Sequence, residues 1–129
     1  MISISSLSKI ALVEARKSDN RFRLGAVIYT KNTILSRDHN YSLKSTRNLH
    51  PKFRSWPGSV HAEMAAILSA RTDLSGSTLF IVRINRKEEF LLSKPCSHCI
   101  KYIIHTGIKK VIYSTGMGFN VIDLKFKID

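Results

Sequence analysis

The stretch "TLFIV" constrains the fold most, because Leu79, Phe80, Ile81 and Val82 form an apolar run that leaves neither face of a strand for water. Such a run is expected of a central strand in a sheet covered on both sides. The rest of the sequence supplies the cover. Residues 6–17 carry Leu7, Ile10, Ala11, Leu12 and Val13 at helical spacing, with Ser5 or Ser6 as N-cap. A second helix is expected over residues 61–70, and a third from Pro95, which suits a first helical position, to Gly107, which suits a helix end.

Two β-rich runs, 26–29 and 33–36, are joined by "TKN" and read as a hairpin. "IKKVIYST" is another strand, and in "NVIDLKFKI" Val121, Asp123 and Lys125 alternate with Ile122, Leu124 and Phe126. Only "GMGF" separates these two strands, too little for a crossover helix, so they should be antiparallel. Helices interleaved with the strands of a mixed sheet indicate an α/β sandwich. Residues 41–59 carry "HP" and "WPG" with no sustained periodicity and read as a long loop, a length often tied to function.

A chain of 129 residues suits one domain, 1–129, and 43% hydrophobic with 23% charged residues argues against disorder. The start "MISISSLSKIALVEARKS" reads as a helix and not a targeting peptide, and no segment approaches the roughly 18 apolar residues of a membrane span. A cytoplasmic location with no membrane partner is the resulting expectation. Net charge is +12, which points to an anionic partner such as a nucleotide, a nucleic acid or an acidic surface. The densest segment, 37–54, holds Arg37, Lys44, Arg47, Lys52 and Arg54 against Asp38, with Phe53 and Trp56 nearby. That mixture stacks bases in some proteins and is a solvated loop in others.

The chemistry lies in two short motifs. "HAE" places His61 and Glu63 at the start of an apolar helix, where both are costly to bury without a partner. Alone, the motif has a plain explanation: Glu63 favours the helix dipole, and a lone His most often caps a helix or sits satisfied in a core. "PCSHC" changes the balance. It puts Cys96 in the first turn of a helix and Cys99 one turn along the same face, a spacing that favours a metal or redox pair over a disulfide where no export signal is seen. A helix start lowers a thiol's pKa toward the thiolate a metal needs. His61, Cys96 and Cys99 make three ligands, the number a catalytic zinc keeps when its fourth position is left for water. Glu63 is then placed to move that water's proton to a substrate nitrogen. His98, inside the C-x-x-C, points away from the cysteine face. His39, His50 and His105 lack partner spacing and read as loop or surface residues, His50 near a pocket rim; Met64, Phe80 and Tyr102 read as core.

With "HAE" and "PCSHC" in this order and a strand between them, the chain resembles the zinc-dependent cytidine and deoxycytidylate deaminase superfamily. "RFRLGAVIYTKNTILSRDHN" is similar to that family's first hairpin and "GIKKVIYST" to its fourth strand. The resemblance implies a three-layer α/β/α fold on a mixed five-stranded sheet with an antiparallel last hairpin. It implies Zn2+ on His61, Cys96 and Cys99, Glu63 as general acid and base, Asn40 on the sugar, and the Ala62 amide with the Lys94 carbonyl on the base. Lys94 stands where relatives often have a small or apolar residue, and Ala65 where many deoxycytidylate deaminases have Asn; these departures bear on the substrate, not on the metal.

The expected reaction is hydrolytic deamination of a (deoxy)cytidine nucleotide such as dCMP, giving dUMP and ammonia, with Arg47, Lys52 or Arg54 on the phosphate. One alternative is a deaminase of cytosine or adenine in single-stranded DNA or RNA, which the charge favours. Another is a non-catalytic zinc module that binds nucleotides or nucleic acid, against which Glu63 argues, since a structural zinc has four protein ligands and no use for that acid. Small relatives build their pockets with neighbouring subunits, so a homo-oligomer is expected.

Overall fold

A computed structural model describes residues 2–42 and 59–124. Helix α1 (Ile4–Arg16) begins earlier than the serine run suggests, because Ser3, not Ser5 or Ser6, is its N-cap: the Ser3 hydroxyl accepts from the Ser6 amide at 3.0 Å. This choice sets Leu7 inside the helix, from where Leu7, Ala11 and Ala15 form one fully buried stripe. Strands β1 (Arg23–Thr30) and β2 (Thr33–His39) form the expected hairpin, with Lys31 at φ 50° in its turn. Both outrun their apolar kernels, since the ladder continues to Gly25 opposite His39.

The ends of the expected long loop are not loop. Tyr41–Ser42 (β3) pairs antiparallel with Ser59–Val60 (β4), Tyr41 facing Val60, and so pins the two ends of the segment together. Arg47, His50, Lys52, Phe53, Arg54 and Trp56 lie outside the described residues. Helix α2 (Ala62–Ser69) follows, then β5 (Thr78–Ile84), β6 (Phe90–Leu91), helix α3 (Ser97–His105), β7 (Lys110–Thr115) and β8 (Gly118–Asp123).

The main sheet runs β2-β1-β5-β7-β8, mixed because β5 and β7 are parallel while every other pair is antiparallel. The five expected strands are thus present, with β7 and β8 antiparallel as the short connection requires. A sixth was not foreseen: the two-residue β6 folds back on the end of β5, Leu91 opposite Arg83, and is too short to show a period in sequence.

Three layers result. On one face α1 packs its buried stripe on Val27, Phe80, Val82 and Ile84; on the other, α2 and α3 bury Ala62, Met64, Ala65, Cys99 and Ile103 against Ala26, Ile28, Leu79 and Ile81. The "TLFIV" run therefore serves both layers, Phe80 and Val82 toward α1, Leu79 and Ile81 toward the other helices. Contact between α1 and β1 is close enough that a Cβ on Gly25 would sit 2.1 Å from the Ala11 carbonyl oxygen and 2.7 Å from the Ala15 amide nitrogen. Gly25→Ala should therefore cost about 1–3 kcal/mol in denaturant unfolding by prising the helix off the sheet, whereas Gly116→Ala, with open space around it, should leave stability nearly unchanged.

Candidate active site

Two helix starts meet at the end of β5. His61 is the N-cap residue of α2, in extended conformation (φ −70°, ψ 151°), yet its side chain makes no capping hydrogen bond, which leaves the ring to face α3. The Ser36 hydroxyl fixes that helix from behind, donating to the Ala66 carbonyl at 2.6 Å. At the other helix, Cys96 is the N-cap and not a first-turn residue, and Pro95 precedes the helix instead of opening it. The reason is that the Cys96 sulfur takes the cap's place, accepting from the Cys99 amide at 3.5 Å.

The approach to Cys96 is held by buried serines. Ser93 donates its hydroxyl to the Ile81 carbonyl at 2.9 Å and accepts from the Ser114 amide at 2.8 Å, so the segment before Pro95 is tied to both β5 and β7. The Ser114 hydroxyl donates in turn to the Leu91 carbonyl at 2.6 Å. These bonds set where α3 begins, and with it where the two sulfurs point.

The two starts bring His61, Cys96 and Cys99 together: one donor atom from each lies within 4.8 Å of the others, and His61 Nδ1 is 3.5 Å from Cys99 Sγ. His98 is not part of that grouping. Glu63, in the first turn of α2, is 4% exposed and in hydrogen-bond contact with the Cys99 thiol. Burial pushes the Glu63 carboxyl above its ordinary pKa. Burial, then the charges of Glu63 and Cys96, push the Cys99 thiol up as well, so the helix start does not lower it as the sequence suggests. Burial, with the charge of His98, holds the His61 imidazole down, toward its neutral form. Burial disfavours the charged form of both acids, and a cation among them would favour it. A set of two thiolates and one imidazole nitrogen is a zinc donor set with the fourth position free.

A second grouping shows the contrast. Glu14, Asp38 and His39 also approach one another, His39 at the end of β2 being half-buried and not a surface residue, with Nδ1 3.6 Å from the Glu14 carboxylate. Burial opposes ionisation of Glu14, but Lys17 at 2.9 Å and Arg37 at 2.8 Å overcome it and hold its carboxyl below the ordinary range. Here the chain supplies its own cations. At Glu63 no cation lies within ion-pair distance among the described residues.

A cavity of about 370 Å³ opens onto the site, within the usual range for a small-molecule pocket. His61, Ala62, Glu63 and Cys96 line it, as do Asn40 and Lys94, both expected from sequence. Asn40 is 7% exposed and already engaged: its Oδ1 accepts from the Leu24 amide at 2.9 Å and its Nδ2 donates to the Phe22 carbonyl. Arg47 and Arg54, outside the described residues, stand on sequence alone. Sequence reasoning missed Phe22, Leu92 and Arg83, which line the same cavity. For Arg83 a signal existed: it sits at the parity of Leu79 and Ile81, where an inward-facing strand position should be apolar.

The family model described as cytidine and deoxycytidylate deaminase zinc-binding region matches residues 1–115. The chain belongs to this family. A curated relative, an uncharacterized deaminase in the luxG 3′ region of Aliivibrio fischeri, is 30% identical over 103 residues, covering 78% of this chain and 63% of that protein; the chain thus spans under two thirds of that relative's length. Among solved structures, the dCMP deaminase of cyanophage S-TIM5 superposes with a TM-score of 0.65 at 25% identity, covering 86% of this chain and 81% of that one, and it has also been solved with dCMP and dUMP. Cytidine deaminase from Burkholderia pseudomallei shares the fold, with a TM-score of 0.65 at 17% identity over 95% of this chain and 93% of that one. No helix among the described residues is long and apolar enough to cross a membrane.

The deaminase family's zinc and this donor set agree, and metal analysis tests the agreement residue by residue. Cys99→Ser and His61→Ala should each lower zinc affinity by more than the roughly 10–100-fold that loss of a mere supporting partner costs. His98→Ala should retain one zinc per chain.

Proposed function

We propose that the chain catalyses the zinc-dependent hydrolytic deamination of a cytosine nucleotide, converting dCMP and water to dUMP and ammonia. The observation that carries the reading is Glu63, a carboxyl 4% exposed that lines the cavity beside the His61, Cys96 and Cys99 donor atoms. His61, Cys96 and Cys99 would hold the zinc, which would lower the pKa of a water in its fourth position to about 7. Glu63 would take a proton from the attacking water, pass it to the ring nitrogen next to the amino-bearing carbon, and later move one to the departing amine. A carboxyl whose proton affinity is raised by burial is the better able to hold a proton between taking it up and giving it away. The new bond joins the water oxygen to the ring carbon, and the bond that breaks joins that carbon to the amino nitrogen.

The base is oriented by the Ala62 amide and the Lys94 carbonyl, both residues of the cavity lining. Asn40 reaches the sugar with the hydrogen-bonding capacity that Leu24 and Phe22 leave over. A mononucleotide is preferred over a polymer because the cavity has the volume of a small-molecule site and because the cyanophage relative is a dCMP deaminase. Deamination within single-stranded nucleic acid is the second reading, favoured by the net charge of +12. Phe22 and Leu92, both at least half exposed, leave the cavity mouth apolar, which supports a second copy of the chain closing it.

Glu63→Gln keeps the shape of the site and removes its proton carrier. Ammonia release from dCMP should fall by about 10²–10⁴-fold while bound zinc and thermal stability are retained. Unchanged turnover in that variant would end the enzymatic reading.

A further inference from the structure

Arg83 occupies the last inward-facing position of β5, opposite Leu24 on β1 and Leu91 on β6. Its guanidinium lies over the Phe22 ring, 4.7 Å from the ring centroid, and its Nε is shielded from solvent with no hydrogen-bond partner among the described residues. Several other cations are engaged: Arg16 grips Glu88 at 2.7 Å, Arg37 and Lys17 hold Glu14, and Arg23 donates to the Asn85 carbonyl at 2.7 Å. Arg83 has no such carboxylate or carbonyl among the described residues. A buried donor left unpaired is rare and costly in a folded protein. It calls for an acceptor that arrives from outside, and Arg83 lines the cavity that holds His61 and Glu63.

The chemistry of that acceptor follows from the group. Contact with the Phe22 ring takes up no N–H hydrogen bond, and the N–H edge of a guanidinium matches two oxygens of a phosphate. Lys94 adds a second cationic residue to the same lining. We infer that Arg83 recognises the phosphate of a mononucleotide substrate and so determines a preference for nucleotide over nucleoside. The inference rests on the deaminase reading above and goes beyond it, since the sequence pointed for this role to Arg47, Lys52 and Arg54.

The test compares zinc-loaded wild type, Arg83→Gln, Arg83→Lys and Lys101→Gln on dCMP, deoxycytidine and a cytosine-containing single-stranded oligonucleotide. Lys101 is an exposed α3 residue outside the cavity and controls for loss of one charge. Wild type should favour dCMP over deoxycytidine. Arg83→Gln should raise the KM for dCMP by about 10–100-fold with kcat within about twofold and deoxycytidine kinetics unchanged, and Lys101→Gln should behave as wild type. Arg83→Lys, which keeps the charge and loses the fork, should fall between. Inorganic phosphate should compete with dCMP in wild type and much more weakly in Arg83→Lys, a readout that stands even if Arg83→Gln does not fold.

An equal loss on dCMP and deoxycytidine would overturn the inference in favour of a structural role. An effect confined to the oligonucleotide would overturn it in favour of a polymer's phosphodiester. If wild type deaminates dCMP and deoxycytidine equally well, phosphate recognition fails while the deaminase reading stands; if it releases ammonia from none of the three, both fail.

Discussion

A carboxyl and a thiol buried against each other, with no positive side chain in ion-pair contact among the described residues, are the interaction on which the rest depends. Glu63 and Cys99 come from two different helices, so neither helix alone creates the problem or solves it. A cation bound beside them would favour the ionised form of both, leaving Cys99 as a ligand and Glu63 as a proton carrier. The sheet exists, in this sense, to hold two helix starts at one place. Parallel β5 and β7 with α3 between them deliver Cys96 and Cys99 to the end of β5, and α2, which precedes β5, begins at the same end with His61.

The Glu14 cluster shows that the chain can ionise a buried carboxyl when it supplies the countercharge itself. Glu14 has Lys17 and Arg37, and its proton affinity falls; at Glu63 burial raises the proton affinity, and the Cys99 contact opposes that rise without cancelling it. Both carboxyls are little exposed to solvent, 3% and 4%. Cations offset the burial of Glu14 and none is paired with Glu63 among the described residues, which separates a structural ion cluster from a site that expects something from outside.

Most of the architecture was legible because its signals are local and periodic. The both-faced apolar run at Leu79–Val82 demanded helices on each side, and α1, α2 and α3 provide them. The metal donors were legible because "HAE" and "PCSHC" each lie within a single turn at a helix start, so sequence spacing is nearly spatial spacing. What was not legible is set at longer range. Which serine caps α1 is decided by where Leu7 must point, and β6 forms only because its two residues find the end of β5. Arg83 could have been noticed as a charge at apolar parity, but its significance needs Phe22, sixty-odd residues earlier, to lie beneath it. The rise in Cys99 acidity expected at a helix start is reversed by burial beside Glu63, a neighbour that no spacing rule within "PCSHC" contains.

The central claim is that three residues of this chain hold zinc and leave one position open beside Glu63. X-ray absorption at the zinc edge of the purified protein measures this most directly. The account predicts two sulfur scatterers at about 2.3 Å and two light scatterers at about 2.0–2.1 Å, one of them with the multiple scattering of imidazole and the other without it. A shell of four ligands all from cysteine and histidine, or a protein that carries no zinc after growth and purification in its presence, would contradict it.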